Sequence, residues 1–276
     1  MNLPPPNFRP DDEPSPRGVA VPGVKPLETV RVGSVPKVDR EPEKLAEVQL
    51  ESWPSLLEDA FVYPWRDHGW MILVPGGLMA LAMGISSFGF LGTLSMVLIG
   101  GYFSAHYLNV IETTLTGRMS QPEWPDVSDV WSEVVGPVLR VFAVASFAAI
   151  PSLVFDWLAT RSGTPVEAGW LLSAVGLALH CLYFPLAMVA VAIHGTLLAA
   201  LPHRVLPALV RCSPTYWWGV FLLWLVTSLF SLAVGVLFTV PYLGGLLGAC
   251  ALVYFFVVHG RFCGLLYRRY EDRIGW

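Results

Sequence analysis

The stretch GGYFSAHYLNVIETTLTGRMSQPEWPDVSD, residues 100–129, decides the fold. It opens on apolar chain carrying His106, Asn109 and Glu112, then gathers acids, Gly117, Pro122 and Pro125 within a few turns. Such a stretch is either the rim of a catalytic pocket or a helix leaving a membrane, and the composition around it chooses. The 276 residues are 54% hydrophobic, yet only 14% are charged, where a soluble globular protein carries about 25%. Residues 1–68 hold eight of the 17 Lys and Arg and twelve of the 21 Asp and Glu, so the rest of the chain is almost uncharged. The stretch therefore reads as a membrane exit. Residues 100–112 form the inner half of a span, Gly117 caps it, and the prolines enforce turns. Val127, Val130, Trp131, Val134 and Val135 then make an apolar stripe opposite Asp126, Asp129 and Glu133, which predicts a short surface-lying helix.

Working outward, apolar segments long enough to compare with the roughly 20 residues of a spanning helix lie near 70–87, 91–114, 137–159, 168–199, 216–238 and 242–266. The fourth is long enough to tilt, or to break at Pro185. Tight turns at SSFGFLG and FTVPYLG join the first two and the last two spans, so the fold class is all-α: a polytopic integral membrane bundle of six spans in three hairpins over residues 70–266. Upstream, residues 49–69 predict an amphipathic interfacial helix. After a Ser52 cap, Trp53, Leu56, Leu57, Ala60 and Phe61 recur at helical spacing while Glu58 and Asp59 face away, and Tyr63, Trp65 and Trp70 suit the interfacial belt. Residues 1–48 are Pro-rich, mixed in charge and poor in aromatics, a disordered tail that serves as a tether or recruits protein partners. Residues 267–276 form a basic-aromatic tail in which Arg268, Arg269 and Arg273 anchor lipid headgroups, each worth about 1 kcal/mol near an anionic surface.

Basic residues set the orientation. With the N-terminus inside, 16 of the 17 Lys and Arg fall on the inner side and only Arg161 outside, so both termini are expected in the cytoplasm of a cell whose inner membrane holds the chain. The N-terminal residues lack the charged-then-apolar pattern of a secretory signal, and the first span is expected to direct insertion. Cys181, Cys212, Cys250 and Cys263 form no CxxC pair, which argues against a zinc site or disulfides. A net charge of −4 without a basic stripe argues against a nucleic-acid partner.

The segments LEDAFVYPWRDHGWMILVPGG and GGYFSAHYLNVIETTLTGRMSQPEWPDVSDVWSEVVGP resemble a membrane-protein family catalogued as domain of unknown function 4013. In that family a short YP helix precedes the first span and a GY span is followed by a G…PEW.D loop. The resemblance is best over residues 55–140 and implies a polytopic inner-membrane protein; it carries no catalytic residues with it.

Ionisable groups inside spans cost about 2.5–3.5 kcal/mol at the helix centre on insertion scales, so each must be accounted for. His106, Asn109 and Glu112 lie along one side of the second span and serve either as a polar relay or as interhelical anchors. His180 is the deepest polar residue, five positions before Pro185. His106, His194 and His259 each occupy the inner half of a span returning to the cytoplasm; three such histidines make a zinc site only where they converge. No P-loop, HExxH, GxSxG or paired-carboxylate signature is present. The expectation is a non-enzymatic membrane component, without cofactor, that organises lipid or protein partners; the alternative is a permease using the polar residues of the second and fourth spans.

Overall fold

The computed structural model describes residues 52–85, 89–125, 129–162, 165–212, 214–240 and 243–276, and the tail expected over 1–48 lies outside the described residues. Among the described residues there is no strand. In order come α1 (Trp53–Val62), a 3-10 turn (Tyr63–His68), α2 (Trp70–Ile85), α3 (Gly89–Leu115), a π-helical turn (Trp131–Val135), α4 (Gly136–Arg161), α5 (Val166–His194), a 3-10 turn (Leu197–Ala200), α6 (Pro202–Arg211), α7 (Pro214–Phe238) and α8 (Gly244–Ile274). Among the described residues five helical segments are long and apolar enough to cross a membrane: Gly92–Leu115, Trp131–Arg161, Ala168–His194, Pro214–Phe238 and Gly244–Ile274. The remaining segment expected to span, α2, has 16 residues; at 1.5 Å per residue that is about 24 Å, short of a hydrocarbon core of about 30 Å.

Glycines let the central helix α8 be approached closely. Gly76 of α2 meets Val253, and Leu81 meets Gly245, so the two helices run antiparallel. Gly260 and Gly264 face Tyr107, Val110 and Thr114 of α3. Half of the α8 span is buried, against 11% for the span containing α4. The core therefore sits around the C-terminal half of α8, where Val258, Phe262 and Leu266 pack with Ile111, Leu186 and Val189. We call this the basal end. At the opposite end the helices present large apolar side chains outward, among them Leu153, Leu171 and Leu232.

Several boundaries differ from the sequence reading, each for a local reason. α5 stops at His194 rather than running to 199, because Gly195 adopts φ +64° and its N–H closes on the Val191 carbonyl. The chain then forms α6, a surface helix that the span count missed, burying Val205 and Ala208 while Leu206 and Val210 are exposed. Val127 lies outside the described residues; Trp131–Val135 is no separate surface helix but the first turn of a helix continuing into α4, with Val134 seated against Gly101. Pro137, two residues beyond that turn, is buried. Residues 267–274 likewise continue α8, and Tyr267, Tyr270 and Ile274 are buried. The Ser52 cap holds, its hydroxyl accepting from the Ser55 N–H at 3.3 Å, and Gly117 ends α3 with φ +76°.

Candidate functional site

Polar groups gather at three places. The first is an ion cluster joining α1 to α8. Periodicity put Asp59 on the solvent face of α1, whereas it is buried, 7% exposed. Arg261, fully buried, donates from Nε to Asp59 Oδ2 at 2.8 Å, and Arg66 meets Asp59 Oδ1 at 2.7 Å. The remaining guanidinium donors of Arg261 reach the Arg118 carbonyl at 3.0 Å, Thr114 Oγ1 at 3.3 Å and Met119 Sδ at 3.5 Å, and its flat face lies 4.4 Å from the Tyr63 ring. Asp59 follows Leu56 by three residues and precedes Tyr63 by four, so it lies on the same buried face as Leu56, Ala60 and Tyr63, and that face packs on α8. The available signal was a lone arginine in the apolar run VVHGRFCGLL, a charge that is costly to bury without an acid to pair with it. Every charge in this cluster is engaged by another, so the cluster holds the fold and offers nothing to a substrate.

Tyr63 finishes the same joint. Its hydroxyl donates to the Ser120 carbonyl at 3.0 Å, and its own carbonyl accepts from Gln121 Nε2. Burial pushes its phenol well above the usual range, partly offset by the positive charge of Arg261. The sign follows. Below about pH 10, the model-peptide value, the phenol is neutral in both states and its contribution is fully present; above that, ionisation favours the unfolded chain and the contribution is lost. Tyr63→Phe is therefore expected to flatten the fall in thermal stability above pH 10, at the cost of about 1 kcal/mol at neutral pH from the lost hydrogen bond; unfolding followed from pH 7 to 11 checks both.

The second place is a basal cleft of about 420 Å³ between α3, the start of α4 and the end of α5, lined by Asn109, Glu112, Ser132, Glu133, Arg140 and His194. A smaller recess of about 170 Å³ shares Asn109 and Glu112 and adds Arg118. Among the described residues none of Glu112, Glu133 and Arg140 forms an ion pair. Nearby Asp129 is committed elsewhere: hydrogen bonds from the Ser132 side chain, then from the Ser132 and Trp131 N–H groups, hold its carboxyl below the ordinary range. Arg140 and Glu133 were not among the sequence candidates, because they flank rather than interrupt an apolar run.

The third is a cavity of about 240 Å³ at mid-bundle, walled by aromatic and aliphatic side chains and containing His180 and His259. His259 Nδ1 pairs with the Tyr107 hydroxyl at 2.8 Å. Along α5 this cavity ends at Pro185 and the basal cleft begins at Val191, and Leu186 to Ala190 between them are no more than 2% exposed. The two spaces are separate.

The candidate residues thus divide. Asn109, Glu112 and His194 share the basal cleft; His180 and His259 share the cavity. His106 joins neither: it is buried against Trp124, ring centres 4.5 Å apart, with no hydrogen bond of normal geometry at either nitrogen, although the Glu123 backbone is close enough to act on the ring. Among the described residues no group of three or more His, Cys, Asp or Glu side chains is placed to hold a metal ion. Of the arginines expected at lipid headgroups, Arg269 stacks over Trp53 at 4.5 Å, while Arg268 is half-buried and Arg273 exposed on the last turns of α8. No family model matches the chain, and no curated protein or solved structure is similar to it.

Proposed function

We propose that the protein is a non-enzymatic, lipid-organising component of a cell's inner membrane, and that the basal cleft is its working site, taking a zwitterionic phospholipid headgroup. On this reading α2 counts as the sixth span, three hairpins are complete, and the basal end faces the cytoplasm. The antiparallel course of α2 on α8 supports that count, because it brings α1 and the end of α8 to the same side. The arginines support the orientation: Arg118, Arg140, Arg204, Arg211, Arg268 and Arg273 lie on basal elements, and Arg161 closes α4 at the other end.

One observation carries the choice of ligand. Two carboxylates and one guanidinium line the same open cleft without pairing among the described residues, so a ligand bearing both an ammonium and a phosphate finds a partner for each charge. The permease alternative requires the cleft to communicate with the mid-bundle cavity, and the burial of residues 186–190 between the two supports the headgroup reading over it.

Retention of phosphatidylethanolamine by the purified full chain, read by native mass spectrometry after detergent washing, tests the reading. Arg140→Gln with Glu112→Gln is expected to lower retention roughly tenfold or more, since each charge-assisted hydrogen bond is worth about 1.5–3 kcal/mol. Unchanged retention, or proton or solute flux in liposomes that Glu112→Gln abolishes, overturns it.

A further inference from the structure

The mid-bundle cavity belongs to none of the chemistry above. Its position on the chain fixes what can reach it. His180 stands at the centre of the 29-residue α5, halfway along the apolar run, so the cavity lies at hydrocarbon depth when α5 spans. Leu186 to Ala190, on the basal side of its α5 wall, are buried, and Trp224 of α7, a lining residue, is 39% exposed. Access is through the bilayer.

The lining then selects among bilayer-soluble molecules. Among the described residues no Asp, Glu, Lys or Arg lines it, so none of them neutralises a carboxylate, a phosphate or an ammonium, each of which is expensive to bury unpaired. Yet the wall is not purely apolar. The Tyr107 hydroxyl engages His259 Nδ1; with the phenol donating, the neutral imidazole carries its proton on Nε2, a donor left for the cavity. His180 stacks on Phe184 with ring centres 5.6 Å apart and has no hydrogen-bond partner among the described residues, although a neutral imidazole always holds one donor and one acceptor. Thr227 spends its proton on the Leu223 carbonyl at 2.7 Å, which leaves its oxygen as an acceptor. Where no water is present to satisfy such groups, an occupant must.

We propose that this cavity binds an uncharged lipid with a single oxygen head, a long-chain alcohol being the simplest member of the class: the oxygen accepts from His259 Nε2, its hydroxyl donates a hydrogen bond to His180 or to the Thr227 oxygen, and the chain runs out past Trp224 into the bilayer. The ion cluster and the basal cleft play no part in it, so it stands or falls independently of the headgroup reading.

Photolabelling tests it on the full-length protein in phosphatidylcholine nanodiscs. The probe is a C16 alcohol with a diazirine in its chain, with the matching C16 carboxylate and C16 hydrocarbon as comparisons. Adducts of the alcohol, mapped by mass spectrometry, are expected in the segments 180–185 and 255–259, to fall at least fivefold under excess 1-hexadecanol, and to exceed those of the carboxylate about tenfold. Thr227→Trp and Cys181→Trp, which fill the space, are each expected to remove the labelling, and Leu153→Trp on the outward face of α4 to leave it unchanged; thermal unfolding verifies that each variant is folded. His180→Leu is expected to lower labelling by the alcohol several-fold and leave that by the hydrocarbon unaltered. Labelling spread evenly over the outward faces of α4 and α7 and insensitive to hexadecanol overturns the proposal, and so does equal labelling by the carboxylate. Competition on the unaltered protein decides the matter even if a filling variant fails to fold.

Discussion

Asp59→Leu is expected to cost about 3–5 kcal/mol of stability, the range for removing one partner of a buried ion pair, and to lower the detergent-solubilised unfolding temperature more than any other single carboxylate change. The reason is asymmetry. Arg261 is fully buried on α8 and cannot reach water when its acid is removed, and the hydrogen bonds it keeps, to Thr114, the Arg118 carbonyl and Met119, carry no negative charge. Arg66, about a quarter exposed, can swing outward and loses less. The double variant Asp59→Leu, Arg261→Met is therefore expected to recover much of the loss, because an apolar pair of similar volume is often neutral against a buried ion pair. Denaturant titrations of the two single variants and the double variant form a cycle that isolates the pair. Additive losses, or an Asp59→Leu protein as stable as the parent, would show that Arg261 is compensated elsewhere.

The cluster also marks where sequence reasoning stopped. Five long apolar helices were legible because crossing a hydrocarbon layer is a length requirement that a run of apolar residues meets without reference to partners. α6 was illegible by that criterion: its ten residues hold two arginines, a histidine and two prolines, and only their helical period betrays a surface helix. The end of α5 was written as Gly195, seven residues before Pro202, yet the apolar residues 197–201 beyond it disguised the break. Asp59 was read from the pattern of its own helix, whereas its environment is set by Arg261, 202 positions away. The same limit applies to the candidate sites. His180 and His259 could be nominated singly, but Tyr107, Trp224 and Thr227, which give their cavity its character, look in sequence like ordinary span residues. Pairwise proximity between helices is the information a single chain's periodicity does not contain.

Gly264→Val is expected to be the next most damaging change. A Cβ at position 264 would sit 2.6 Å from both Cβ and Cγ2 of Thr114, and 3.3 Å from the Ile111 carbonyl oxygen. Neither neighbour can yield: Thr114 is fully buried, and its hydroxyl is tied to the Val110 carbonyl at 2.7 Å. Relief requires α3 and α8 to separate along their length, and overpacking of this kind costs about 1–3 kcal/mol or more. The added β-branch makes valine worse than alanine, so a graded loss from Gly264→Ala to Gly264→Val is the expected order. Separation also pulls Thr114 Oγ1 from Arg261, which couples this contact to the ion cluster. Combined with Asp59→Leu, Gly264→Val is then expected to cost less than the sum of the two single losses, since each variant already loosens the joint the other depends on. Thermal unfolding of the two single variants and the combination reads the coupling; strictly additive losses would mean that the glycine contact and the ion cluster are independent supports.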